Sequence, residues 1–150
     1  SFIPGSVGVM SRSGGMTTTV CWFLARNGIG VSTALHIGAE PIVGLSFPEL
    51  LPLFQEDSET EIVVMFGEIG TVAEEEAAEV IKAGKFNKPL VAYIAGAGLR
   101  PGVRYSHASA IIARGRGSAE SKIKALKEAG AYIANKPEEI ALIVTKLLRR

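Results

Sequence analysis

Short, wholly apolar runs alternate along the chain with stretches whose apolar residues recur every three or four positions. The first kind reads as strands buried on both faces, the second as amphipathic helices. The pattern predicts β1 at Val7–Met10, β2 at about Ser32–Ile37, β3 at Ile62–Phe66, β4 at Leu90–Ile94 and β5 at Ala131–Ala134. Helix α1 runs from about Met16 to Asn27, with Val20, Phe23 and Leu24 on one face and Gly28 as its stop. Helix α2 begins near Ser46 with Pro48 in its first turn, a place proline tolerates. Helix α3 covers about Ala73–Ala83, and Glu74, Glu75 and Glu76 fill its first turn, where the helix dipole favours anions. Helices α4 and α5 follow at about Ala119–Ala129 and Pro137–Leu148.

Five strand-then-helix units imply a parallel sheet with helices on both faces. Right-handed crossovers then give an α/β, flavodoxin-like, doubly wound five-stranded sheet, as a single domain over residues 1–150. In such a sheet every loop that follows a strand lies at one edge. That edge collects Ser11–Gly15, Gly38–Pro41, Gly67–Gly70 and the long segment Ala95–Gly117, whose five glycines break the rhythm. Ligands bind at this edge by geometry alone.

Each of these loops carries candidate chemistry. Ser13, Gly14 and Gly15 open directly into α1, so unpaired backbone N–H groups with the dipole behind them suit an anion, and the Ser13 hydroxyl adds a donor. The plainer account is that Ser13 caps the helix and the glycines make the turn. Glu68, between Gly67 and Ile69-Gly70, can orient an imidazole and stabilise its charged form. Its alternatives are a solvated loop residue or a cap for α3. Of the two histidines, His36 lies within β2, where a core or sheet-face role is the ordinary one. His107 sits in the glycine-rich segment among Ser106, Ala108, Ser109 and Ala110, small neighbours that let large partners approach. No Ser/His/Asp or Cys/His constellation and no metal-ligand spacing stands out.

Composition narrows the classes. A formal net charge of +1, with 21% charged and 47% hydrophobic residues, gives no electrostatic reason to expect nucleic acid or an anionic membrane as partner. The single cysteine, Cys21, suits a reducing compartment. No apolar run is long enough to span a bilayer. The opening SFIPGSVGVM lacks the basic start and apolar core of a signal peptide. It reads as a chain entering mid-protein, either a product trimmed to a domain or, as expected here, the part that follows an N-terminal domain.

The blocks VGVMSRSGG at 7–15, GAEPIVG at 38–44, GEIGTVAEEEAA at 67–78, KPLVAYIAG at 88–96 and HASAIIA at 107–113 make the chain resemble the C-terminal half of the succinyl-CoA synthetase α subunit. The Ser-Gly-Gly-Met turn also resembles the ATP-citrate lyase and citryl-CoA synthetase group. The resemblance implies a CoA-ligase domain that bears a phosphohistidine. The acid and a nucleoside triphosphate's phosphoryl group give an acyl phosphate, CoA displaces the phosphate, and a histidine carries the phosphoryl group between two sites. On that resemblance His107 is the carrier and Glu68 positions its ring. Ser13, Gly14 and Gly15 begin a helix whose N-terminus receives the phosphate. The implied cofactors are CoA and ATP or GTP with Mg, held by the complete enzyme mostly outside this chain, with none tightly bound here. The implied partners are an ATP-grasp β subunit and the N-terminal CoA-binding domain, the place is the cytoplasm (or the mitochondrial matrix in a eukaryote), and the isolated chain is expected to be inactive.

The chain departs from the family's pattern at three places. Ser106-His107-Ala108-Ser109-Ala110 stands where the family has Gly-His-Ala-Gly-Ala. Gly38-Ala39-Glu40-Pro41 replaces Gly-Gly-Asp-Pro, and Gly70-Thr71 replaces the Gly-Gly pair after Ile69. Two rival readings remain open on sequence: a non-catalytic binding or assembly domain of the same superfamily, and a domain that binds nucleotide phosphates at the Ser13–Gly15 turn.

Overall fold

Alternation within single strands divides the core. In the computed structural model, which describes residues 2–98 and 117–149, β3 (Ile62–Glu68) is buried along its whole length. Ile62, Val64 and Phe66 join Val7 and Val9 of β1 (Pro4–Ser11) on one face, against Val20, Cys21 and Leu24 of α1 (Gly14–Arg26) and Ile140, Ala141 and Val144 of α5 (Glu139–Leu148). Val63 and Met65 face the other way with Met10. They pack on α2 (Phe47–Glu56), α3 (Ala73–Lys82) and α4 (Ala119–Glu128) through Leu51, Ala77, Ala78 and Leu126. Two helices therefore cover one face and three the other.

Strands β2 (Val31–His36), β4 (Leu90–Ala95) and β5 (Tyr132–Ile133) complete a five-stranded sheet of order β2-β1-β3-β4-β5. Every pairing is parallel, as the sequence pattern predicts. The switch in strand order falls between β1 and β3, which puts the ligand-binding crevice beside the loops leaving those two strands.

Local signals set the helix ends. The Ser46 N–H donates to the Glu49 carboxylate at 2.7 Å, one half of a capping box. Ser118 caps α4 by accepting from the Ser121 N–H. Gly28 ends the α1 turn at φ +72°, a left-handed conformation that costs glycine little. Three strands differ from the sequence reading by more than one residue. β3 runs on to Glu68, a residue the reading placed in the loop after it, because its backbone still pairs with β4. β1 starts three residues earlier, at Pro4, because the polar Gly5-Ser6 pair still runs extended beside β2. β5 shrinks to two residues, although Ala134 still donates its N–H to the Ala92 carbonyl.

Candidate functional site

The carboxyl edge of the sheet is organised by a buried arginine. Arg12 follows β1 directly and is 3% exposed. Its Nη1 donates to the carbonyls of Glu68 (2.8 Å) and Gly70 (2.7 Å) and to Oε1 of Glu74 (3.2 Å). Its Nη2 donates to the Ala39 carbonyl at 3.1 Å. One planar fork thus ties together the loops leaving β1, β2 and β3, a task suited to guanidinium geometry.

Glu68 ends β3 and is 8% exposed, so it is neither a solvated loop residue nor a helix cap. Its N–H is held by Glu74 Oε1 at 3.0 Å, and its Oε1 lies 3.8 Å from Arg12 Nη2. Gly67 makes this arrangement sterically allowed, since a Cβ there would sit 2.7 Å from Glu74 Oε1 and 2.8 Å from Ile94 Cδ1.

Glu74 is itself completely buried, and its other oxygen takes a hydrogen bond from Lys122, also completely buried. Lys122 reaches Glu75 at 2.9 Å and the Thr71 carbonyl at 3.0 Å as well. Glu75 in turn accepts from the Gly117 N–H at 3.0 Å and from the Ser121 hydroxyl. Burial pushes the Glu75 carboxyl up, but the charge and hydrogen bond of Lys122 and the Gly117 N–H outweigh it and hold it below the usual carboxylate range. Among the described residues, Arg12 and Lys122 are thus the cations that face the carboxylates of Glu68, Glu74 and Glu75.

Where that network passes, the backbone is tight. Gly70 N–H donates to the Gly117 carbonyl at 2.8 Å, fastening α4 to the loop after β3. A side chain at Gly117 (φ +85°) would meet the Thr71 carbonyl at 2.9 Å. Thr71 lies at φ +51°, the only non-glycine among the described residues with a positive φ.

The start of α1 is built differently. Ser13 is the N-cap, its Oγ accepting from the Met16 N–H at 3.3 Å. Its carbonyl accepts the hydroxyls of Ser11 and Thr17. The capping account of Ser13 therefore holds. Gly14 and Gly15 form the first turn and are exposed, and among the described residues no hydrogen bond uses their N–H groups.

His36 takes the sheet-face place of the two expected of it and not the core one. It ends β2, is exposed, and brings its ring within 3.8 Å of where a Gly14 side chain would begin. Strand alternation places it on the α1 side of the sheet, at the end of β2 and beside the start of α1. Beside these groups a cleft of about 400 Å³ opens, lined among others by Arg12, Gly38, Glu40, Ser46, Thr71 and Glu76. Among the described residues no cluster of His, Cys, Asp and Glu could hold a metal ion, and no helix is long and apolar enough to cross a membrane.

Of the sequence candidates, Ser13, Gly14, Gly15 and Glu68 thus come to one edge, while His107 with its flanking serines lies outside the described residues. Sequence reasoning missed Arg12, Glu74, Glu75 and Lys122. The available signal was a first turn of three glutamates, which was assigned to the dipole alone.

The sequence profile of the CoA-ligase family matches residues 10–132, well over half the chain. The chain is 48% identical over 147 residues to succinate–CoA ligase [ADP-forming] subunit alpha 2 of Archaeoglobus fulgidus, covering 98% of this chain and 50% of that subunit. It is 44% identical over 143 residues to the ADP-forming sulfoacetate-CoA ligase subunit SqwL of an Acholeplasma species, covering 95% of this chain and 48% of that subunit. It therefore spans about half the length of these relatives. Among solved structures, a mutant ATP citrate lyase of Methanosaeta concilii in complex with (3S)-citryl-CoA superimposes with a TM-score of 0.88 at 27% identity, over 97% of this chain and 25% of that one. A receiver domain from a Francisella response regulator, at 15% identity and a TM-score of 0.59, shares the fold alone. With its profile, its relatives and its fold in agreement, the chain belongs to the CoA-ligase family.

Proposed function

We propose that this chain is the phosphohistidine domain of a nucleotide-dependent acyl-CoA synthetase of the succinate–CoA ligase type. The observation that carries the reading is Glu68: buried at the carboxyl end of β3, its backbone held by Arg12 and Glu74 and its carboxylate 3.8 Å from Arg12 Nη2, at the same sheet edge as the exposed Gly14 and Gly15 N–H groups. A carboxylate held in that way suits the task of orienting an imidazole and steadying its positive charge. The start of α1 suits a phosphoryl group, because exposed donors and the helix dipole favour anions.

On this reading an imidazole nitrogen of His107 forms the P–N bond as the P–O bond to the leaving oxygen breaks, and the group later passes on. Such transfer depends on positioning and charge stabilisation, so the domain needs few reacting residues. On this reading the group is received at the start of α1, where Gly14 and Gly15 are exposed and no hydrogen bond among the described residues uses their N–H groups. Coenzyme A and ATP or GTP with Mg are bound by the rest of the enzyme, including an N-terminal CoA-binding domain and an ATP-grasp partner subunit, in the cytoplasm or the mitochondrial matrix.

The test is phosphate transfer in the assembled ligase. His107→Asn keeps the approximate size and one donor but has no nucleophilic nitrogen, so labelled phosphate from the nucleotide should no longer reach the domain. Glu68→Gln should slow that labelling on the order of a hundredfold, the scale of one lost electrostatic contact at a reacting centre. Undiminished labelling of the His107→Asn enzyme would refute the carrier role and favour a binding or assembly domain.

A further inference from the structure

Every polar part of Glu68's backbone, and its carboxylate, meets a buried ion pair made by two residues with no assigned role. Its carbonyl accepts from Arg12 Nη1 at 2.8 Å and its N–H donates to Glu74 Oε1 at 3.0 Å. Its carboxylate lies 3.8 Å from Arg12 Nη2. Arg12 and Glu74 are themselves joined at 3.2 Å, and Lys122 fixes the far oxygen of Glu74. A loop brace would need only the carbonyl contacts to Gly70 and Ala39. The geometry goes further: the second guanidinium nitrogen stands beside the carboxylate itself.

We propose that Arg12 is the positioning residue for Glu68, setting both the direction of its side chain and the charge beside it. The proposal rests on the reading that Glu68 orients the phosphoryl carrier. A lysine could not reproduce the role, because one ammonium cannot reach carbonyls of two loops and a carboxylate in the fixed directions of a planar fork. Arg12 acts through Glu68, so the two should be energetically coupled.

The experiment is a double-mutant cycle in the assembled ligase, read as the single-turnover rate of phosphate transfer from nucleotide to the domain. Arg12→Gln removes the charge and the fork while keeping one donor. In the native background it should lower the rate at least about tenfold with an unchanged KM for nucleotide. In a Glu68→Gln background the same substitution should cost less than about twofold, because the group it positions is already gone. An equal loss in both backgrounds would overturn the proposal and leave Arg12 a brace for the loops. If circular dichroism shows that Arg12→Gln does not fold, Arg12→Lys is carried through the same cycle and judged by the same criterion. The outcome is separable from failure of the underlying reading, since the Glu68→Gln single variant tests the orienting role, and labelling of His107→Asn tests the carrier, with Arg12 left in place.

Discussion

The two halves of the carboxyl edge solve opposite problems. At the end of β3, Arg12, Glu74, Glu75 and Lys122 sit out of water and pair with one another across the loop after β1, α3 and α4, with Glu68 buried beside them. At the start of α1, Ser13 closes one backbone donor and leaves Gly14 and Gly15 exposed with theirs unused among the described residues. The first region is expensive to bury and therefore has to be complete, since desolvated charges are tolerated only when paired. The second is inexpensive and can stay open, because water satisfies an exposed helix end. A site that must hold one group rigidly and receive another needs both kinds of surface.

The sharpest way to break this contrast is at Lys122. Lys122→Met keeps much of the length and packing of the side chain but leaves Glu74 and Glu75 facing each other without their shared cation. Removing one partner of a buried pair costs about 3–5 kcal/mol. In a chain of this size that corresponds to a fall in Tm of roughly 10 °C. A thermal melt followed by circular dichroism measures it, and a loss under about 1 kcal/mol would class the cluster with ordinary surface pairs.

Acid should loosen the same region. The Glu75 carboxyl titrates lower in the folded chain than in the unfolded one. Its contribution to stability is thus fully present above the unfolded value of about 4.3 and disappears as pH falls through the folded value. Glu75→Gln should flatten that part of the stability curve, measured as Tm between about pH 3 and 6. An unchanged acid slope in the variant would show that other carboxylates govern it.

At the open end, Ser13→Ala should cost about 1 kcal/mol, the usual value of a helix cap. Unlike Glu75→Gln, it should leave the acid slope as it was, because no ionisable group takes part in the cap. A change in slope on removing Ser13 would mean that the two regions are coupled through Arg12 and the Ser11–Ser13 turn.

The sequence pattern disclosed the sheet, its parallel sense and the edge where the loops meet, because the all-apolar run at Ile62–Phe66 and the glycine and serine helix ends are local signals. That Glu68 and the Ser13–Gly15 turn lie at this edge was legible for the same reason, one at the end of β3 and the other just past β1. The ion network was not. Glu74 is separated from Lys122 by 48 residues and from Arg12 by 62, so no local spacing relates them. A glutamate in the first turn of a helix reads as solvent-facing until tertiary packing closes over it. The exposure of His36 was not legible for a similar reason: whether a strand residue is core or open face depends on where the sheet ends, and β2 is its edge strand.

The smallest expected effect concerns Thr71, at the seam where the network meets the loop after β3. A β-branched residue at φ +51° is strained, and the left-handed region costs a non-glycine residue about 1–2 kcal/mol. Glycine, the residue common at this place in the resembling family, removes that strain. It also gives the unfolded chain more freedom to lose, which takes back about 0.5–1 kcal/mol. The Lys122 hydrogen bond is made to the Thr71 carbonyl, so the substitution keeps it. Thr71→Gly should therefore stabilise the chain by about 0.5–1 kcal/mol, a rise in Tm of roughly 2 °C. Thr71→Ala should gain less, because alanine keeps a Cβ in the same left-handed conformation. If both substitutions destabilised the chain, the threonine side chain would be making a contact worth more than the strain, and the seam would belong with the closed region.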